Sequence, residues 1–376
     1  MNDRPWRKPS PVKTAVLYTL FLLVVCSGAT LADDGRESSR DRVPAELRMI
    51  LSPGKGDSKT VIFSTTGDGE APPSPEALVD AGPAVPTAIG YKPAFSLRAG
   101  YRVDRLKWSI ADIDGSPTIL SELQWDKLES VEVAGDFRWS DDSKVYLRGG
   151  ASFGWIVDGR CRDSDYLGDY RTMEFSRSYA KTDGTLWDAT LGVGYRFDLP
   201  LTRAGGRLRL MPLAGYSYYA QELQMTDGEQ VVSDFGFGMP LGKFYGLDSS
   251  YDTQWNGPWV GLDMELEPGR RHTLTASFEY HWVDFKAEAD WNLRTDLQHP
   301  VSYRHEADGE GIVASIGYRY SPTPGWSWTV QVNYRDMGTD SGEHVTYGYD
   351  GNVMKTRFNK VEWKSWSTNF GIAYNF

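Results

Sequence analysis

The sequence predicts an all-β fold, a ten-stranded antiparallel transmembrane β-barrel with long extracellular loops. Three observations predict it. From Phe95 onward, apolar and polar residues alternate in ten separate segments, short turns and long linkers alternate between these segments, and the second face of the alternation carries many charged residues. A period of two is typical of β-strands, and turns that are short at one end and long at the other are typical of outer-membrane barrels.

The first segment shows the pattern clearly. Phe95, Leu97 and Tyr101 share one face, whereas Arg98 and Arg102 share the other. The ten segments lie at residues 95–104, 131–139, 144–155, 187–197, 207–219, 259–266, 273–282, 312–320, 326–335 and 361–376, with short turns at 140–143, 200–206, 267–272 and 321–325. Several runs continue into the long linkers, so we expect strands of about 20 residues, which rise well beyond an apolar band about 25 Å tall.

The charged face decides between a membrane barrel and a soluble one. Ten strands with this many ionic residues cannot place them all in solvent around a narrow apolar core, so the apolar face is predicted to meet lipid and the ionic face to line the lumen. The predicted lumen residues are Arg98, Arg102, Asp104, Glu132, Asp136, Arg138, Arg148, Asp188, Arg196, Glu279, Arg319 and Arg335. The predicted interfacial girdle consists of Trp139, Trp155, Trp187, Trp326 and Trp328.

The carboxyl terminus supports a closed barrel. In residues 369–376, Phe370, Ile372, Tyr374 and Phe376 alternate with small or polar residues up to the last position. Because a closed barrel has no free edge, its final strand pairs with the first and can run to its last residue.

The amino-terminal part has a different composition. Residues 1–32 combine a basic start, a short apolar core and small residues, which indicates a signal peptide cleaved after Ala32. A lipoprotein site at Cys26 is disfavoured by the bulk of Val25. Residues 33–93 are rich in Asp, Gly, Pro and Ser, so we expect a flexible periplasmic segment, followed by the barrel at 94–376.

Composition also narrows the function classes. Cleavage of the signal would leave Cys161 as the single cysteine, which excludes an intrachain disulfide. The net charge of −11 argues against nucleic acid as a partner, because phosphate neutralisation needs a basic surface. The residue spacing predicts no metal site and no cofactor site.

Several stretches resemble strands of the omptin family, the outer-membrane endopeptidases of Gram-negative bacteria. They are AGYRVDR (99–105), ELQWDKLESVEVAGDFRW (122–139) and FEYHWV (278–283), and the resemblance covers residues 94–376. The family's Asp-x-Asp motif matches Asp163 and Asp165, and its Asp-x-Asp-x-His motif matches Glu288, Asp290 and Asn292. The resemblance implies that Asp163, Asp165, Asp290 and Asn292 occupy the catalytic positions, with Glu288 as an additional acid at the rim.

The family mechanism, as the resemblance implies it, holds a water between an Asp–His pair and an Asp pair. Asn292 stands where the family has His, and an amide cannot accept the water's proton. We therefore expect an omptin-like barrel without omptin-type proteolysis, similar to the Pom group, with a surface binding, adhesin or structural role. An endopeptidase that uses another base, such as His281, His299 or His305, is the alternative. A narrow porin-like channel is the second alternative.

The strand parity adds a condition. In strict alternation, Asp163, Asp165, Asp290 and Asn292 all fall on the lipid-facing side, so a bulge in each of the two strands is needed to turn them inward. The expected location is the bacterial outer membrane, with the loops at the cell surface. The expected partners are lipid, lipopolysaccharide held by Arg and Lys on the outer wall, and an extracellular protein or matrix ligand.

Overall fold

The computed structural model describes residues 93–201, 206–234, 236, 240–269 and 271–376. The predicted signal peptide and nearly all of the predicted periplasmic segment lie outside these residues. The described strands are β1 Ala94–Ile110, β2 Ser121–Ser140, β3 Val145–Gly168, β4 Thr172–Tyr195, β5 Phe197–Leu201, β6 Gly206–Ser233, β7 Gly242–Lys243, β8 Ser249–Gly269, β9 His272–Asp290, β10 Tyr303–Tyr320, β11 Trp326–Thr339, β12 Gly342–Tyr347 and β13 Val353–Asn375. No helix among the described residues has the length and hydropathy needed to cross a bilayer.

The strands form one antiparallel ring. The order is β1-β2-β3-β4-β6-β8-β9-β10-β11-β13, and β13 pairs with β1 to close it. Both β11 and β12 lie between β10 and β13, so together they make one wall strand, while β5 extends the pairing of β4 with β6. The ring therefore has ten strands, which confirms the predicted fold class.

The ring closes at the chain end. Residue partners run without a break from Ala94 opposite Asn375 to Ser109 opposite Lys360, and the backbone N–H of Phe376 donates to the Pro93 carbonyl at 3.1 Å. This pairing explains why the alternation continues to the last residues.

The half of the barrel at the end of the short turns, which we call the lower half, is apolar outside and ionic inside. Leu97, Leu191 and Phe370 are 59%, 65% and 64% exposed, whereas Arg102 and Asp263 are 2% and 1% exposed. This is the opposite of a soluble barrel and confirms the predicted orientation of the strands. Among the predicted girdle residues, Trp155, Trp187, Trp326 and Trp328 are exposed and Trp139 is half-buried.

Opposite charges pair across the lumen. Arg102 contacts Asp104 at 2.7 Å and Asp188 at 2.8 Å, and Arg335 contacts the same Asp188 at 3.0 Å. Further pairs are Arg98–Asp136, Arg138–Glu265 at 3.2 Å, Arg148–Asp263 at 2.6 Å, Arg148–Glu279 at 2.5 Å and Arg196–Asp198 at 3.1 Å. Buried charges need such partners because burial removes their hydration.

The chemistry of the two faces reverses in the upper half, and period-two alternation alone does not predict this reversal. In β9, Glu279 and His281 face the lumen below, whereas Val283 and Phe285 face it above. On the outer face, Trp282 is followed by Asp284 two residues later. The upper interior is an apolar core that includes the fully buried Trp125, Trp255, Trp363, Tyr251, Phe285 and Phe358. A wall in water buries its apolar side, so the reversal marks the upper edge of the lipid band.

Candidate binding site at the barrel mouth

A bulge in β3 turns its acidic motif inward. Ile156 pairs with Gly184 and Arg160 pairs with Lys181, so β3 has one residue more than β4 between these two pairs. An extra residue shifts every later side chain to the opposite face. As a result Asp163 and Asp165 point into the mouth of the barrel, at the end that carries the long loops.

The bulge expected in β9 is absent from the described strand. Its pairing with β10 is continuous from His272 to Ala289, so Glu288 and Asp290 stay on the outer face. Asp290 Oδ1 lies 2.5 Å from His299 Nδ1, and Glu288 binds Arg304 at 2.6 Å.

Asn292 is also turned away from the mouth cavity. Its side-chain oxygen accepts hydrogen bonds from the backbone N–H of Asp248 and the hydroxyl of Ser249, both at 3.0 Å. Its amide donates to the Gly246 carbonyl at 2.6 Å. The two halves of the family motif therefore do not face each other: Asp163 and Asp165 lie inside, and Asp290 and Asn292 lie outside.

The mouth contains a cavity of about 680 Å³ above the apolar core. Its wall is mainly apolar and aromatic, with Trp108, Leu123, Met225, Phe244, Trp291 and Tyr303 among the lining residues. The inward positions near the top of β9 are Ala287 and Ala289, so this strand supplies no carboxylate or imidazole opposite Asp163. Arg294, in the loop that follows β9, is a cation that lines the cavity.

The pKa values of the two inward carboxyls, Asp163 and Asp165, are both raised. Burial, together with the neighbouring Asp165 carboxyl, raises the pKa of Asp163 well above its usual range, and burial likewise raises the pKa of Asp165. Arg294 opposes both shifts, but its guanidinium already donates two hydrogen bonds to Asp296, at 2.8 and 2.7 Å. Burial disfavours the charged form of a carboxyl because it removes water.

A pair of histidines, His305 and His344, lies in the upper half, and His344 lines the same cavity as these carboxyls. His305 Nδ1 lies 2.9 Å from the Tyr251 hydroxyl, and His305 Nε2 lies 2.7 Å from His344 Nδ1. Burial lowers the pKa of His305 well below its usual value and that of His344 to about 4, so both rings are neutral near pH 7. His344 lines the mouth cavity. His344 could not be predicted from the sequence, because it lies in the short β12 and in no family motif.

The third histidine candidate, His281, lies in the lumen. Its Nε2 is 2.9 Å from Glu279 and its Nδ1 is 3.1 Å from the Ser217 hydroxyl, so it has no contact with the mouth. Within the described ranges, no group of three or more His, Cys, Asp or Glu side chains is arranged to hold a metal ion.

Comparison with known families agrees with the architecture. The sequence profile of the Protochlamydia outer membrane protein family, Pom, matches residues 96–376. This chain belongs to the Pom family. The barrel is therefore an outer-membrane protein, and no curated protein sequence matches it.

Solved structures of outer-membrane proteins resemble this Pom-family barrel to different degrees. It is similar to the outer membrane protease OmpT from Escherichia coli, with a TM-score of 0.63 and 15% identity over 76% of this chain and 97% of that one. It also matches OprG from Pseudomonas aeruginosa, with a TM-score of 0.27 and 12% identity over 76% of this chain and 98% of that one. At 15% identity, the likeness to OmpT concerns the fold alone.

Proposed function

We propose that this Pom-family barrel is a closed, non-proteolytic surface protein that binds a ligand at its extracellular mouth. The observation that carries the proposal is the mouth cavity of about 680 Å³ above an interior filled by side chains. A concave, mostly apolar cavity with a few converging polar groups is the usual form of a ligand site.

Three features argue against omptin-type proteolysis. The Asp290–His299 pair lies on the outer face, Asn292 is held by Ser249 and Gly246, and the inner face of β9 carries alanines. A general base must come within hydrogen-bond reach of the water that it activates. No base from β9 meets this condition for a water held by Asp163.

One observation favours the alternative of an endopeptidase with a different base. His344 lines the same cavity as Asp163 and Asp165. Both of its ring nitrogens are engaged, by His305 at 2.7 Å and by Thr346 at 2.8 Å, and its pKa of about 4 makes it a weak base. Cleavage of peptides that is lost in both His344→Asn and Asp163→Ala would favour this second function.

The filled interior argues against a porin-like channel. Arg102, Asp188 and Arg335 form one connected ion network across the lumen, and Trp363 and Trp255 pack above it with ring centroids 5.7 Å apart. An open water path would have to pass both layers. We therefore expect no ion conductance in planar bilayers.

The outer wall and the loops offer two further contacts. On the outer wall, Glu122 binds Lys107 at 3.0 Å, Arg162 at 3.3 Å and also Arg171. Because three cations surround one carboxylate, the cluster is positively charged and suited to lipopolysaccharide phosphates. Exposed tyrosines at the loop end, Tyr170, Tyr245 and Tyr349, support binding of an extracellular protein or matrix ligand.

The mouth site is tested by filling it. Ala180 is half-buried and lines the cavity, so Ala180→Trp should occupy part of it. A fragment library is screened by saturation-transfer NMR against the barrel in lipid nanodiscs. Hits that disappear in Ala180→Trp and remain in Lys286→Trp, whose side chain is exposed on the outer face of β9, support the proposal. Hits that survive both substitutions, or no hits at all, contradict it.

A further inference from the structure

The mouth cavity contains buried polar atoms that have no protein partner. Trp108 and Tyr303 are 3% and 6% exposed and both line the cavity. The indole nitrogen of Trp108, the hydroxyl of Tyr303 and Oδ1 of Asp163 form no hydrogen bond with the described part of the chain. Unpaired buried polar groups are destabilising and rare, so their convergence on one cavity needs an explanation.

The lining contains more carboxyl groups than cations. Asp163 and Asp165 face the cavity from β3 and Asp112 lines it from the loop after β1, whereas Arg294 is the lining cation and its guanidinium is engaged by Asp296. His344 is neutral near pH 7, because its pKa is about 4. A ligand with positive charge therefore complements the site better than a neutral or negative one.

The aromatic wall favours a flat apolar body. The Trp291 and Tyr303 rings have centroids 4.9 Å apart, and the Trp108 and Tyr303 rings have centroids 6.0 Å apart in an edge-on arrangement. These three rings line one cavity together with Asp163. Aromatic faces also attract cations electrostatically.

We propose that the mouth cavity binds an organic cation with an aromatic body, of the arylalkylamine class, with its ammonium group on Asp163 and its ring against Trp108 and Tyr303. The proposal rests on the proposed mouth-binding function and gives its ligand class. The ammonium group supplies the donor that Oδ1 of Asp163 lacks, and the cavity volume of about 680 Å³ leaves room for the ring.

Binding should be linked to pH. In the free protein, burial and Asp165 hold the pKa of Asp163 high, so a bound cation lowers that pKa and releases a proton. The other titratable or charged groups that line the cavity are Asp112, Cys161, Arg294, Tyr303 and His344. Of these, Tyr303 and His344 stay neutral near pH 7 because burial raises the first pKa and lowers the second. Affinity for the amine should therefore rise with pH over the range in which Asp163 of the free protein loses its proton.

Three probes with one ring system separate charge from shape. Tryptamine is a cation at neutral pH, tryptophol is its neutral analogue, and indole-3-acetate is the anion. Each is titrated calorimetrically into the barrel in lipid nanodiscs. We expect tryptamine to bind at least about tenfold more tightly than tryptophol, as one charge-assisted hydrogen bond provides, and indole-3-acetate to bind more weakly still.

Variants test the proposed contact between the ammonium group and Asp163. Asp163→Asn keeps the shape and should reduce the preference for tryptamine over tryptophol to about one, whereas Asp284→Asn, exposed on the outer face of β9, should leave it unchanged. Trp108→Phe should weaken both probes, and the heat-modifiable gel shift reports folding of each variant.

Equal affinities for tryptamine and tryptophol, or an undiminished preference in Asp163→Asn, would overturn the ligand class. Absence of binding by all three indoles would overturn it as well. In each case the fragment screen on Ala180→Trp still decides the mouth-binding function separately, so the two failures can be told apart.

Discussion

Removal of Arg102 should strongly destabilise the ion network of the lumen. Its guanidinium donates two hydrogen bonds to Asp104, at 2.7 and 3.1 Å, and one to Asp188 at 2.8 Å, while Glu132 lies 3.8 Å away. Arg102→Ala leaves these carboxylates without that cation in a buried setting.

The loss of unfolding free energy in Arg102→Ala depends on the contacts that Asp188 and Asp104 keep. Three hydrogen bonds to charged groups contribute about 1.5–3 kcal/mol each, so the gross loss is about 4.5–9 kcal/mol. Asp188 keeps Arg335 at 3.0 Å, and Asp104 keeps the indole N–H of Trp363 at 2.7 Å, which recovers part of that loss. We therefore expect a destabilisation of about 3–5 kcal/mol, as for the loss of one partner from a buried ion pair.

Urea unfolding in lipid vesicles, followed by tryptophan fluorescence, measures the change. The control is Arg105→Ala on the same strand, because Arg105 faces outward, is 54% exposed on its side chain and pairs with Asp126 at 3.0 Å. An exposed pair of this kind contributes less than about 1 kcal/mol. Equal losses for the two variants, or a loss below about 1 kcal/mol for Arg102→Ala, would show that the buried ion pairs of Arg102 do not stabilise the barrel.

Three further predictions concern the upper half. Asn292→His should create no peptide cleavage, because the residue lies outside the mouth; turnover above the unmodified protein in a fluorogenic assay would show that β9 turns inward. Asp163→Asn should stabilise the fold near pH 8 but not near pH 4. Because the pKa of Asp163 is raised in the folded protein, this carboxyl destabilises the fold as pH rises above its unfolded pKa of about 3.9. Urea midpoints of the variant and the unmodified protein that diverge toward low pH would contradict this prediction. Cys161 is buried and burial raises its thiol pKa, so a hydrophilic maleimide should label it only after unfolding, and rapid labelling of the folded barrel would be inconsistent with this packing.

Period-two alternation was sufficient to predict the ring of ten strands, because alternate residues of each segment lie on the same face of the sheet. The alternation could not predict the reversal above the lipid band, because Glu279 and Phe285 lie on the same face of β9. What differs is the medium outside the wall, which is lipid at the level of Glu279 and water at the level of Phe285. The inward acids of β3 depended on one extra residue near Gly159, which the alternation does not mark. Arg294 and His344 reach the mouth from a loop and a short strand, where no periodicity indicates a direction.

Ser315 and Ile316 test the central claim, the direction in which the two faces of the wall point. They are neighbours on β10: Ser315 lines a lumen cavity of about 150 Å³, and Ile316 is 61% exposed. A spin label is placed at each as a single cysteine, in a Cys26→Ser, Cys161→Ser background in vesicles, and its collisions with lipid-soluble oxygen are measured. We predict high oxygen accessibility at 316 and low accessibility at 315. The reverse order would contradict the account.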